Sequence, residues 1–416
     1  MSLRLPESLL LLSLGALFSH TLPAIAAEPE PATGSESTAA EPTAAESAAA
    51  KPPPRWTTLE QTIVLQPEQR QNAATGSVGN SVELQISSSG PSADEAMEIG
   101  IAVLDPGLAA DSASNRKLGI FPEIREAEAR YLPYALRRTL VDSNQWGAVR
   151  VLPELDPGYE VLLTGRILES NGATLSLQIQ ARDSRDRLWF DRVYTVVAEE
   201  TAYLKTERRL RRPFQDLYNQ LANDLLNYRQ QLDDSELRNI HRIAAVRHAA
   251  SLAPEAFAEY LELNQDGLFQ LRRLPAREDP MMARIGRIRE QEYLFIDTTD
   301  EQYAELYTEM TPVYDLWRQF LREQLSFREA WEARLATRDK PRSGSYQALK
   351  QVYNNFKWEK IQRQELQVLA EGFDNEIAPT SLVLEGSVVN LNGSLDERYR
   401  EWRRILQQIY SLETGA

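Results

Sequence analysis

The side chains able to do chemistry in this chain are a few imidazoles, many carboxylates and one clustered set of cations, and their spacing limits what each can do. Three histidines occur in 416 residues. His241 and His248 fall on a stretch with helical patterning, where a seven-residue step separates them by about 10 Å along the axis. That is too far to share one ion, so no metal site is expected from them, and the chain has no cysteine to add a thiolate. Asp105 follows an apolar alternation and opens Asp105-Pro106-Gly107, an order that serves a turn and is also where α/β enzymes place an acid. Lys205, Arg208, Arg209, Arg211 and Arg212 form a basic cluster. It is the candidate binding surface, for anionic headgroups or an acidic partner, or else a solvated face. The nucleophile elbow, the phosphate and dinucleotide glycine loops and the His-Glu-x-x-His helix are all missing from the sequence. No catalytic residue and no cofactor is therefore expected. A glycosidase pair could still lie among the 61 acids, because it needs only proximity in space.

The charge balance narrows the partners. With 61 acidic against 46 basic side chains the formal charge is -15, which repels a phosphate backbone, so nucleic acid is excluded as a partner. Arg4, the apolar run Leu9 to Phe18 and the small residues Ala24, Ile25, Ala26 and Ala27 read as a secretory leader, cleaved near Ala26 or Ala27. The His20 imidazole leaves with it. A spacer of Ala, Glu, Pro, Ser and Thr from Glu28 to Pro54 cannot bury enough surface to offset the entropy of ordering. The expected place of work is the periplasm, without a lipidated cysteine.

The elements that must position any site begin at Glu98. Ile99, Ile101 and Val103 alternate as in a half-buried strand, and Leu132, Leu136 and Leu140 mark a helical face over Ile124 to Val141, with Pro133 expected to kink or restart it. A short strand at Ala148 to Leu152 precedes three more, Tyr159 to Leu168, Thr174 to Arg182 and Leu188 to Val197. Turns at Ser170-Asn171-Gly172 and Asp183 to Asp186 join these three into an antiparallel meander with one polar, wet face. Pro213 fits the first turn of a helix that faces a core with Phe214, Leu217, Leu221, Leu225 and Tyr228. Ahead of all this, Trp56 to Pro91 is weakly patterned, with one strand expected at Thr62 to Leu65.

The runs VLLTGRIL, with Gly165, and LSLQIQARDSRDRLWFDRVY resemble the core of a small periplasmic α/β domain. That domain is shared by the curli secretion lipoprotein, outer-membrane activators of penicillin-binding proteins and the N-terminal domain of TolB, and IGIAVLD sits where it has its first strand. The resemblance covers about Ile99 to Tyr228 and implies a protein-binding or assembly module without catalytic residues.

Downstream, Asp233 or Asp234 can cap a helix, and the region to Leu335 reads as helical, with loops near Gly267 and Pro275 to Pro280. Thr298 with Glu301 forms a capping-box pattern for a long helix, along which Tyr303, Tyr307, Met310, Tyr314, Trp317 and Leu321 make a seam, continuing loosely to Trp331 and Leu335. Pro312 is expected to kink or break it. After a loop at Asp339 to Ser345 come a helix, two short strands and a last helix opened by Ser394 and Glu397. In that unit GSVVNLNGSL at Gly386 to Leu395 is similar to the strand core of BON domains, which are associated with envelope surfaces.

The expected class is α+β: an antiparallel or mixed sheet with helices on one face, a helical middle and a small C-terminal α/β unit. The expected segments are 1–27 leader, 28–97 tether, 98–232 α+β module, 233–338 helical region and 345–416 terminal unit. The expected function is non-enzymatic protein binding or scaffolding in envelope assembly or secretion, with an envelope protein as partner and membrane-surface contact open. A carboxylate-dependent hydrolase of envelope glycan and a lipid-surface binder are the alternatives.

Overall fold

The computed structural model describes residues 74–78, 81–92, 95–111, 115, 120–198, 212–276, 279–337, 380–384, 387–391 and 395–414. All belong to one compact unit that spans Leu59–Ala416. The expected leader, the spacer, the strand at Thr62 to Leu65, the cations Lys205, Arg208, Arg209 and Arg211, and Ser394 lie outside these residues.

The fold is α+β around a six-stranded mixed sheet. Its strands are β1 (Ala74–Ser77), β2 (Ile99–Ala102), β3 (Val149–Leu152), β4 (Val161–Ser170), β5 (Thr174–Asp183) and β6 (Leu188–Val197), in spatial order β1-β6-β5-β4-β2-β3. β4, β5 and β6 form the expected antiparallel meander. β2 pairs in parallel with β3 on one side and β4 on the other, and α1 (Pro122–Ser143) connects β2 to β3. β1 adds a parallel strand beside β6, in a stretch whose Gly, Ser and Asn content gives no strand signal.

Period-two alternation explains the inner face. Val161, Leu163 and Ile167 of β4 and Leu175, Leu177, Ile179 and Ala181 of β5 are buried against α1 and α2 (Gln215–Arg229). Each Val, Leu or Ile among them contributes about 1.5–3 kcal/mol through removal from water. Gly165 is required mid-strand, because a Cβ there would lie 2.4 Å from the Gln178 carbonyl oxygen. α1 runs unbroken through Pro133. Phe214, Leu217, Leu221 and Leu225 face the core as expected, while Tyr228 stacks on Trp189 at 4.7 Å between centroids.

The outer face differs from its expectation. Ser176, Gln178 and Gln180 are buried, at 6%, 2% and 6% exposure, and their polarity is satisfied laterally. The Gln178 and Gln180 amides donate to the two oxygens of Asp191, and the Ser176 and Thr195 hydroxyls meet at 2.8 Å. Cross-strand bonding of this kind lets polar side chains sit on a buried face.

The second half is more continuous than its local signals suggest. α3 (Asp234–Leu252) starts at a capping box made by Asp233 and Glu236. A short helical turn, Pro254–Phe257, leads into a hairpin of β7 (Leu261–Leu263) and β8 (Phe269–Leu271); the loop expected near Gly267 is its turn, and the two short strands that flank it depart from the expected helical reading. α4 (Pro280–Thr337) is a single helix of 58 residues that passes through both the Thr298 position and Pro312. Thr298 therefore lies inside a helix, where its hydroxyl donates to the Leu294 carbonyl. β9 (Thr380–Leu384) and β10 (Ser387–Leu391) form an antiparallel hairpin, and α5 (Leu395–Thr414) follows. Tyr303, Tyr307, Tyr314 and Trp317 of α4 join Tyr399, Trp402, Leu406 and Tyr410 of α5 in a second apolar cluster, which also takes in Val151, Leu152 and Tyr159. The side chains of Met310, Trp331 and Leu335 lie outside the described residues.

Candidate functional site

The titratable groups gather where α4 crosses the β3 edge of the sheet. Val151 N–H, on the outer side of β3, donates to Asp300 Oδ2 at 3.2 Å, and the Val149 carbonyl accepts from Arg137 Nε at 2.9 Å. Side chains thus occupy backbone groups that an open edge would offer to another strand. Burial pushes the Asp300 carboxyl up to about 7, against the opposing pull of Arg137 and the Val151 N–H.

One turn before, Arg150 forks onto Asp297 at 2.7 and 3.0 Å, with its guanidinium carbon 3.8 Å from the centre of the Tyr293 ring. Arg289 pairs with Glu98 at 3.0 Å and donates to the Gly158 carbonyl at 2.7 Å, and the Tyr293 hydroxyl also donates to Glu98. Further along the helix, Glu128 of α1 accepts from the Tyr314 hydroxyl and lies 3.2 Å from Arg125 and 3.8 Å from Arg318.

The most enclosed gathering is Asp156, His248 and Glu292, at 2%, 1% and 1% exposure. Asp156 begins a tight turn after β3, His248 lies on α3 and Glu292 on α4. Asp156 Oδ1 accepts from Gly158 N–H at 2.7 Å, which leaves Oδ2 toward His248 Nδ1 at 3.4 Å. Glu292 Oε1 accepts from the Tyr399 hydroxyl and lies 3.5 Å from Arg403 Nε, which leaves Oε2 toward His248 Nε2 at 3.7 Å. One ligand atom from each residue lies within 4.8 Å of the other two, close enough for the three to hold one metal ion.

Gly158 permits the approach, because a Cβ there would come within 2.6 Å of His248 Cβ. Burial alone would raise the Asp156 carboxyl; His248, Arg403 and the Gly158 N–H outweigh it and hold the group below the usual carboxylate range. Burial likewise pushes the Tyr399 phenol well above its usual range, so it remains a donor.

The residues singled out from sequence are dispersed. His241 sits beside Glu160, Nδ1 to Oε1 at 2.7 Å, and does not join His248. Asp105 makes its expected turn: Oδ1 accepts from Gly107 N–H at 2.7 Å, Gly107 has a φ of 70°, and Arg166 lies 3.5 Å from Oδ2. Of the basic cluster, Arg212 is described, and it is exposed just ahead of α2. Sequence reasoning missed Asp156, Glu160 and Glu292. A signal for the first was present, since Leu155-Asp156-Pro157-Gly158 repeats Leu104-Asp105-Pro106-Gly107.

Fold and site together define an α+β protein in which buried ionic knots fasten a long helix to the edge of a mixed sheet. No protein-family model, no curated protein and no solved structure matches the chain. Among the described residues no helix is long and apolar enough to cross a membrane.

Proposed function

We propose that this chain is an exported, non-enzymatic component of bacterial envelope assembly or secretion that acts by binding or scaffolding another envelope protein. The reading rests on how α4 is mounted. Between Arg289 and Arg318 the helix is fixed to the sheet and to α1 through Glu98, Arg150, Arg137 and Glu128, and Gly172 of the β4–β5 turn lies against the backbone of Arg318 and Arg322. It then runs on to Thr337, about 22 Å further at 1.5 Å per residue. A helix clamped along one part and continued along another suits a module that holds a partner at a set distance and angle. The ionisable groups act here as fasteners between elements. Asp156 and Glu292 are too enclosed in this conformation for a glycan chain to reach them.

The test is photocrosslinking in cells, with a reactive residue placed at exposed Val197 on β6 or at exposed Glu323 on α4. A discrete adduct with one envelope protein, from either site and not from a control position at exposed Ile86, is the expected result. Uniform background from both sites, or glycan turnover by the purified chain that is lost in Asp156→Asn, would replace this reading with the hydrolase.

A further inference from the structure

We propose that Asp156, His248 and Glu292 bind one divalent transition-metal ion, which ties the turn after β3 to α3 and α4. The first support is what these side chains lack. Neither ring nitrogen of His248 and not Oε2 of Glu292 has a hydrogen-bond partner, although all three atoms are buried. An orphaned donor or acceptor in a dry site costs about 1–3 kcal/mol, and three fall within one small buried group, with His248 between the two carboxylates.

The second support is spacing. Contacts of 3.4 and 3.7 Å are too long for good hydrogen bonds. One ligand atom from each residue lies within 4.8 Å of the other two, against roughly 3.4 Å between two ligands of a tetrahedral ion with bonds of about 2.1 Å. Only one ring nitrogen can serve the ion, so the carboxylate that faces the other nitrogen must close by up to about 1.4 Å, a side-chain adjustment smaller than one bond to the ion.

The third support is the outer layer. The oxygen of each carboxylate that faces away from His248 is already held, by Gly158 N–H on Asp156 and by Tyr399 and Arg403 on Glu292. Donors in this position orient ligands and fix which oxygen is presented. Arg403 reduces the net charge of the two carboxylates to about minus one, so a dication leaves the pocket within one or two charges of neutral when the imidazole binds as the free base. One imidazole with two carboxylates and no thiolate suits Zn²⁺ or Mn²⁺. Ca²⁺, which takes six to eight oxygens, has too few here. The inference is independent of the scaffolding role, because an ion here would serve stability in either an enzyme or a binding protein.

The test uses the full mature chain, stripped with a chelator and then supplied with Zn²⁺, Mn²⁺ or Ca²⁺. Uptake of one equivalent of Zn²⁺ or Mn²⁺ by elemental analysis is expected, with a melting temperature raised by about 5 °C at a hundredfold excess over Kd. Affinity should fall by roughly 100-fold or more in His248→Gln and Glu292→Gln. Should these variants fail to fold, the visible spectrum of the Co²⁺-loaded wild-type chain decides, since tetrahedral N/O ligation gives intense d–d bands. No uptake by the stripped wild-type chain, uptake unaltered in a folded His248→Gln, or stabilisation by acid alone with no response to metal would overturn the proposal.

Discussion

Leu104-Asp105-Pro106-Gly107 and Leu155-Asp156-Pro157-Gly158 form the same local bond, aspartate oxygen to glycine N–H at 2.7 Å, and differ in everything around it. The first faces Arg166 at a partly exposed site; the second is sealed against His248. Local chemistry fixes the turn, and packing fixes what the remaining carboxylate oxygen meets. Asp300 shows the energetic side of such burial. Its folded carboxyl is pushed up to about 7 from 3.8, so between those values the folded chain holds a proton that the unfolded chain releases. The associated stability is full below about pH 4 and is lost as pH rises toward about 7, on the order of 4 kcal/mol in all. Denaturant unfolding at pH 5 and pH 8 should therefore show Asp300→Asn gaining relative to wild type as pH rises. A difference between the two proteins that does not change with pH would count against a raised Asp300.

α4 shows how an element can override its own local signals. Thr298 with Glu301 has the letters of a helix start, and Pro312 those of a stop, yet one helix spans both. A mid-helix proline removes a hydrogen bond and costs about 3 kcal/mol or more. Tyr303 and Tyr307 before it, and Tyr314 and Trp317 after it, are buried in one cluster, and that shared burial offsets the cost. Tyr131 packs against both Tyr307 and Tyr314, at 5.0 and 4.8 Å between centroids, and so splints the proline from α1. The chain has no cysteine, so paired spin labels can be introduced cleanly. Labels at Leu294→Cys and Glu323→Cys should lie about 44 Å apart along a continuous helix. A distribution centred well below 40 Å would mean that the axis bends sharply or breaks at Pro312.

Over the whole described body, the second apolar cluster takes residues from α1, β3, α3, α4 and α5, so the terminal helix completes a core that begins at the sheet. Trp402 is fully buried, with its ring 6.3 Å from Phe295 and its indole N–H on the Gln291 carbonyl. Trp402→Ala should cost about 3–5 kcal/mol, and the loss should appear as faster amide hydrogen exchange in β3 and β4 as well as in α5. Exchange that quickens in α5 alone would show that this helix unfolds as a separate unit.

The meander, the inward face of α2 and a helix cap at Asp233 or Asp234 were readable from the chain itself, because period-two alternation, a three-to-four residue apolar stripe and a capping acid are each written within ten or so neighbouring residues. β1 was not, since a short parallel strand of Ala, Thr, Gly and Ser takes its identity from the β6 backbone it pairs with. The unbroken course of α4, the buried polar ladder on β5 and the meeting of Asp156 with His248 and Glu292 were decided by tertiary structure alone. Each depends on groups distant in sequence being pressed into one dry volume, where burial and mutual charge outweigh local preference, and no spacing along the chain records which side chains will meet there.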